Sequence, residues 1–204
     1  RPELFTGTMD GSVNRLNLLW TNYPSFNGNS VTMGVKENSF DTADIDYRGR
    51  VLINPAATAA NNSHASIMAT IAGGAGNTWY AARGAAWGSR IVSSSFSSLL
   101  PDPASFFQNY GVSVQNHSYG TGIENYYGPE ALAYDLQISN SNDLVHVFSA
   151  GNSGNQAASS GRYSGIIGFA NLTGQFKMAK NIITVGATDS FNIIGPASSR
   201  GTAY

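Results

Sequence analysis

A chain of 204 residues, 42% of them hydrophobic, is long enough to form one domain with a sizeable core. Its formal net charge of -1, with no cluster of Lys or Arg, argues against a nucleic-acid partner. No apolar run approaches the roughly 20 residues that a membrane-spanning helix needs. Because cysteine is absent, thiol nucleophiles, thiolate metal sites and disulfides are excluded. A composition poor in charge and rich in Gly, Ser and Asn favours a secreted protein.

Apolar patterning predicts helices and strands that alternate along the chain. In chain order these are a helix at 13–20, a strand at 31–35 ending at Glu37, a polar loop at 41–54, a helix capped by Asn62 or Ser63, a strand at 90–94, a helix at 103–110, a strand at 112–116, a helix opened by Pro129, and strands at 144–149 and 181–187. The last two strands are almost continuously apolar, which is typical of parallel strands buried on both faces. The sequence therefore predicts an α/β fold with a doubly wound, mainly parallel sheet and helices on both faces.

Two of the predicted helices have an apolar face that we expect to point inward. In the helix after Asn62 this face consists of Ile67, Met68, Ile71 and Ala72. In the helix after Pro129 it consists of Leu132, Ala133 and Leu136.

Polar residues follow several predicted strands at their carboxyl ends. Glu37, residues 116–120 and residues 149–152 all lie at such ends, and His64 lies in the first turn of a helix. Ligands of doubly wound sheets bind beyond the carboxyl ends of the strands, so these residues are expected to share one crevice. Asn152 follows an apolar strand, and an Asn amide beside a histidine base is typical of acyl transfer.

Six segments, in this order along the chain, resemble blocks of the subtilisin-like serine proteases (subtilases, peptidase S8). Residues 64–69 (HASIMA) resemble His-Gly-Thr-His-Val-Ala, residues 114–120 (VQNHSYG) resemble Val-Ile-Asn-Met-Ser-Leu-Gly, and residues 149–152 (SAGN) resemble Ala-Ala-Gly-Asn. Weaker matches cover residues 84–91, 181–189 and 197–201. The resemblance implies that residues 21–204 are the N-terminal part of a catalytic domain, that the substrate is a polypeptide, and that the protein is secreted or lies at the cell surface. Residues 1–20, which Gly7 and Gly11 interrupt, are predicted to form an entry segment.

The same resemblance implies roles for particular residues. The catalytic set would be His64 as general base, Glu37 as the acid that orients it, and Asn152 as an oxyanion-hole donor. The substrate groove would be lined by Ser118, Tyr119, Gly120, Ser149, Ala150 and Gly151. Two other histidines, His117 and His146, are expected to be packed and hydrogen-bonded instead.

The orienting acid departs from the family pattern. The family has Asp in Asp-[Ser/Thr]-Gly-x-Asp, whereas residues 37–41 read ENSFD. Glu37 keeps the charge, but its extra methylene displaces the carboxylate by about 1 to 1.5 Å unless the backbone compensates. Asp41 is the nearest substitute, although we expect it to cap the loop.

The nucleophile departs further. The family's Gly-Thr-Ser-x-Ala motif lies some tens of residues beyond the block at 197–201, and residues 201–203 offer Ala where the hydroxyl is needed. We therefore expect a chain truncated before the serine, as part of a larger chain or assembly. A catalytically inactive subtilase-fold module that binds peptides, or an unrelated doubly wound binding protein, stays an alternative. Resemblance to the family also suggests structural Ca²⁺, for which Asp44 and Asp46 are candidate ligands, although solvated side chains are favoured.

Overall fold

The computed structural model describes residues 11–77 and 79–201, in which helices and strands alternate as predicted. The elements are α1 Leu16–Asn22, β1 Thr32–Glu37, β2 Val51–Leu52, α2 Ser63–Gly73, β3 Arg90–Ser95, α3 Ala104–Tyr110, β4 Val112–His117, α4 Pro129–Ser139, β5 Val145–Ser149 and β6 Ile183–Val185. Short 3-10 turns occur at Ile45–Tyr47, Tyr80–Ala82 and Gln175–Met178.

The six strands form one sheet in the order β2-β3-β1-β4-β5-β6. Strand β3 lies between β1 and β2 and pairs with both in parallel, while β5 pairs in parallel with β6. A parallel sheet with intervening helices confirms the predicted α/β fold.

The described residues fall into two compact units. The amino-terminal unit contains residues 11–77, 79–96 and 102–116, and the carboxy-terminal unit contains residues 97–101 and 117–201. The boundary expected between residues 20 and 21 stays a prediction.

In the amino-terminal unit, α2 packs on β1 and β3 through small side chains. Its buried residues are Ala65, Ala69 and Gly73, which recur every four positions and so form one stripe. Of the predicted apolar face, Met68, Ile71 and Ala72 are partly buried, whereas Ile67 is 41% exposed. A Cβ on Gly73 would lie 3.0 Å from Met33 Cε, so the helix lies too close to the strand for larger side chains.

The predicted loop at 41–54 contains more structure than expected. It includes the turn at Ile45–Tyr47 and strand β2, and Tyr47 packs edge-on against Phe40 with ring centroids 5.3 Å apart. Both rings are fully buried with Val35 and Ile91 in the hydrophobic core of this unit.

Helix α1 begins three residues later than the pattern predicts.

The carboxy-terminal unit has an aromatic core. Phe148 on β5 stacks on His117 with ring centroids 3.9 Å apart, and Tyr119, Tyr134 and Phe176 pack around them. His117 Nε2 lies 2.9 Å from His146 Nδ1, and both histidines are fully buried. This confirms that these two histidines are packed and hydrogen-bonded.

The predicted inward face of α4 is wrong. Its buried residues are Ala131, Tyr134 and Asp135, whereas Leu136 is 54% exposed and Leu132 is similar. Helix α4 packs against the turn at Gln175–Met178, and Asp135 accepts backbone hydrogen bonds from residues 180 and 181, each 2.8 Å long. The buried face of α4 therefore carries a hydrogen-bonded carboxylate, and the two leucines lie on the exposed side of the helix.

Strand β6 is also more exposed than predicted. It is the last strand in the sheet order, and about half of the Ile183 and Val185 side chains is accessible. The expected burial of this strand on both faces is wrong, because all three of its residues are exposed.

Candidate active site

Glu37 is the last residue of β1, in register with Ser95 of β3. Its side chain is fully buried, and Oε1 accepts a hydrogen bond from the backbone N–H of Asn38, 3.2 Å away. A buried carboxylate is costly unless charged or polar groups face it. The other oxygen, Oε2, faces His64.

His64 is the second residue of α2, and an N-cap holds it in place. Asn62 Oδ1 accepts a 2.8 Å hydrogen bond from the backbone N–H of His64, which fixes where the helix begins. This confirms Asn62 as the cap of a helix whose first turn contains His64. The imidazole is mostly buried, with 13% of the side chain exposed.

The structure brings Glu37 and His64 together. The distance from Glu37 Oε2 to His64 Nδ1 is 3.4 Å, which is within ion-pair range, and the two atoms do not form a hydrogen bond. No hydrogen-bond partner of His64 Nε2 is found among the described residues. An acid at Nδ1 favours the tautomer with hydrogen on that nitrogen, which leaves the Nε2 lone pair to accept a proton. Such contacts are often long without substrate and shorten in the reacting complex.

The chain after Glu37 is tied to the start of α2, which keeps the acid and the imidazole adjacent. Asn62 N–H donates to the Ser39 carbonyl at 2.9 Å, and Asp41 N–H donates to Ser66 Oγ at 3.0 Å. Asp41 Oδ1 accepts from Ala43 N–H at 3.0 Å, so this carboxylate caps the loop as predicted. The strand end and the helix start are therefore one hydrogen-bonded assembly.

The neighbouring Lys36 belongs to a different polar group. Successive strand residues point to opposite faces, and Lys36 Nζ makes a 3.0 Å ion pair with Asp102. Burial lowers the pKa of Lys36, and the charge of Asp102 opposes that change.

Asn152 lies in the carboxy-terminal unit, three residues beyond the end of β5. Ala150 N–H donates to the Val185 carbonyl at 2.8 Å, which extends the β5–β6 pairing to the start of this loop. Gly151 has φ +114°, a conformation that favours glycine, and a Cβ there would overlap Thr173 Oγ1. Asn152 is partly exposed, as is Ser149, whereas Ala150 and Gly151 are buried.

The other predicted groove segment, residues 118–120, is buried. Tyr119 is fully buried in the aromatic core, so a contact with substrate would come from its main chain. Thr173 links the two groove segments, because its carbonyl accepts from Thr121 N–H and its N–H donates to the Ala150 carbonyl, at 3.2 and 3.3 Å.

The sequence-predicted residues thus form two groups. Glu37 and His64 meet in the amino-terminal unit, and the two groove segments meet around Thr173 in the carboxy-terminal unit. The convergence of His64 with Asn152 stays a prediction. Asn171 and Ser199, whose side chains bond the Asn152 loop, are not predicted from the sequence. Ser199 lies in the block at 197–201 that resembles the family, whereas Asn171 lies in none of the six blocks.

The side chains of the two candidate calcium ligands accept backbone hydrogen bonds, and a structural Ca²⁺ site stays a prediction. Asp44 Oδ1 accepts from Asp46 N–H at 2.9 Å, and Asp46, which is buried, accepts from Asn77 N–H at 2.6 Å. The expectation that Asp46 is solvated is wrong, because the residue is buried and its carboxylate accepts from the backbone N–H of Asn77. Within residues 11–77 and 79–201, no cluster of three His, Asp or Glu side chains is placed to bind a metal.

Comparison of the sequence with models of protein families assigns the chain to a family. The model of the subtilase family matches residues 17–204, which is most of the chain. The chain belongs to the subtilase family. In the described part of the structure, no helix is both long and apolar enough to cross a bilayer.

Solved subtilisin-like structures share the fold. The prenylagaramide maturation protease PagA matches with a TM-score of 0.67 and 16% identity, over 92% of this chain and 64% of PagA. A cold-adapted subtilisin-like serine proteinase matches with a TM-score of 0.57 and 21% identity, over 87% of this chain and 62% of the other. A serine protease of Aeromonas sobria matches with a TM-score of 0.62 and 17% identity, over 90% and 36%. The chain thus spans less than two thirds of the length of each of these three proteins.

Proposed function

We propose that the protein is a serine endopeptidase in which Glu37 and His64 are the acid–base pair and Asn152 donates to the oxyanion. The observation that carries this proposal is the 3.4 Å approach of the buried Glu37 carboxylate to His64 Nδ1. Family membership and the subtilisin-like fold support it in general terms.

The residues would act in a defined sequence of steps. A serine hydroxyl attacks the carbonyl carbon of the peptide while His64 Nε2 takes the hydroxyl proton. Glu37 stabilises the imidazolium that results, and Asn152 Nδ2 donates to the oxygen that becomes negative. When the C–N bond breaks, the imidazolium returns the proton to the leaving amine. Water then attacks the acyl-enzyme through the same base, which releases the acid product and regenerates the serine.

The proposed serine lies outside residues 1–204, in a longer protein or assembly. An exposed apolar surface in the carboxy-terminal unit supports further protein packing there. Five large apolar side chains are at least about half exposed, with Phe191 at 80%: Ile183, Val185, Phe191, Ile193 and Ile194. Contiguous exposed apolar patches are typical of sites that bind protein, membrane or ligand. We propose that the polypeptide carrying the serine covers it.

Substrate and location complete the proposal. Residues 118–120 and 149–151 would hold an extended polypeptide through main-chain hydrogen bonds, as peptide-binding edges do. The protein would act outside the cell or at its surface.

Labelling of the full-length protein with a fluorophosphonate, which reacts with activated serines, tests the proposal. We expect the wild type to be labelled, Glu37→Asp to keep labelling, and Glu37→Ala to react about 100-fold more slowly or worse. Asn152→Ala should lower peptide turnover by about 100-fold to 1000-fold. The control is Asp143→Ala, which removes an exposed carboxylate of the carboxy-terminal unit and should leave labelling unchanged.

Absence of labelling in well-folded full-length protein would remove the enzyme proposal. Peptide binding by the same unlabelled protein would then favour the inactive peptide-binding module.

A further inference from the structure

The loop that carries Asn152 is held from two sides by buried side chains. Ser199 N–H donates to the Gly151 carbonyl at 2.8 Å, and Ser199 Oγ accepts from Ser153 N–H at 2.9 Å. Asn171 Nδ2 donates to the Ser153 carbonyl at 2.6 Å and to the Gln156 carbonyl at 3.0 Å. The residues before and after Asn152 therefore each have main-chain groups that are held in place.

Asn171 uses its whole side-chain amide in this role. The residue is fully buried, and both of its Nδ2 hydrogens go to loop carbonyls. Its Oδ1 accepts from Arg200 N–H at 2.7 Å, and its own N–H donates to the Arg200 carbonyl at 2.9 Å. These partners fix which way the amide points, because an oxygen in place of Nδ2 would face two carbonyl oxygens.

Arg200 joins the two supports. Arg200 directly follows Ser199 in the sequence. The backbone of Arg200 bonds Asn171, and the neighbouring Ser199 bonds the Asn152 loop. Ser199 is itself buried. The Asn152 loop, Asn171 and residues 199–200 therefore form one hydrogen-bonded assembly.

From this geometry we infer that Asn171, together with Ser199, is a positioning residue that aims Asn152 at the developing oxyanion. The inference rests on the proposed function. An oxyanion donor works only when it is held in place before the reaction, and a displacement of about 1 Å can cost about 100-fold in rate. Residues that lock such a donor through hydrogen bonds are part of the design of a catalytic site.

Asn171→Asp is the informative substitution, because it keeps the shape, removes the two donated hydrogen bonds and places an oxygen opposite the two loop carbonyls. In the full-length protein, we expect kcat for peptide hydrolysis to fall at least about tenfold while KM changes less than about twofold. Ser199→Ala should act in the same direction. The matched control is Tyr127→Phe, which removes a 2.8 Å hydrogen bond to Asp135 in the same unit and should leave kcat unchanged.

Introducing Asn171→Asp into the Asn152→Ala variant distinguishes a positioning role of Asn171 from a purely structural one. If Asn171 acts through Asn152, Asn171→Asp should have little further effect on kcat once that amide is gone. An equal fold-loss in both backgrounds, or an unchanged kcat in Asn171→Asp, would overturn the inference.

Hydrogen–deuterium exchange gives a second readout that needs no activity. Asn171→Asp should speed exchange in residues 151–156 relative to Tyr127→Phe, and unchanged protection there would overturn the inference. An inactive wild type would refute the proposed function and the catalytic role of Asn171, whereas exchange would still decide whether Asn171 holds the loop.

Discussion

Removal of the Tyr47 hydroxyl should destabilise the amino-terminal unit in a way that depends on pH. This hydroxyl is fully buried and lies 2.6 Å from Thr70 Oγ1 and 3.0 Å from the Ser66 carbonyl, so it ties the turn after β1 to α2. Tyr47→Phe keeps the ring packed against Phe40 and loses only these contacts. One or two neutral hydrogen bonds contribute about 1 to 2 kcal/mol to the free energy of unfolding, which is the loss expected at pH 7.

The difference should shrink in alkali. Burial raises the pKa of the Tyr47 phenol from 10.0 to about 12. Because the folded-state pKa is the higher one, the stabilisation is complete below pH 10 and is lost as the pH rises toward 12. At pH 11 the difference in free energy of unfolding between the wild type and Tyr47→Phe should therefore be about 1.4 kcal/mol smaller than at pH 7. One pKa unit corresponds to about that energy.

Urea denaturation of both proteins at pH 7, 10 and 11 measures this directly. Titration of all other groups cancels in the difference between the two proteins. Most of the advantage of the wild type should be gone at pH 11. A difference that stays constant from pH 7 to pH 11, or that grows, would refute the reasoning.

Two further predictions concern close packing of α2, and both are read from urea denaturation midpoints. Ala69→Leu should lower the free energy of unfolding by about 1 to 3 kcal/mol, because Ala69 is fully buried. Ile67→Ser, on the exposed side, should change it by no more than about 0.5 kcal/mol. The reverse ranking would contradict the buried stripe. Gly84→Ala should lower the free energy of unfolding by more than about 1 kcal/mol, because its Cβ would overlap the Thr70 carbonyl oxygen. Gly122→Ala is the control, because the space around Gly122 is open. Equal effects of the two glycine substitutions would contradict this close approach.

Strand positions could be predicted because buried parallel strands are short apolar runs bounded by polar residues. That is why Glu37 was expected at a strand end and His64 at a helix start, and why their meeting could be anticipated. The most buried residues of the helices were not predicted, because the apolar pattern points to the largest side chains. Tight packing instead buries Ala65 and Ala69 in α2, and a hydrogen-bonded Asp135 in α4.

The support of the Asn152 loop could not be predicted from the sequence. Asn171 contacts the Ser153 carbonyl across 18 positions in the chain, and Ser199 contacts Ser153 N–H across 46. Hydrogen bonds over such separations leave no periodic trace in the sequence. The exposure of Ile183 has a similar cause, since an apolar run does not reveal which neighbour covers it.

The central claim is that Glu37 acts through His64, and a double-mutant cycle in the full-length protein tests it most directly. The acylation rate would be measured for the wild type, Glu37→Gln, His64→Ala and the double variant. We predict that Glu37→Gln slows acylation by about 100-fold or more in the wild type but has almost no further effect in His64→Ala. A loss of the same size in both backgrounds would mean that Glu37 acts independently of the imidazole, which contradicts the account.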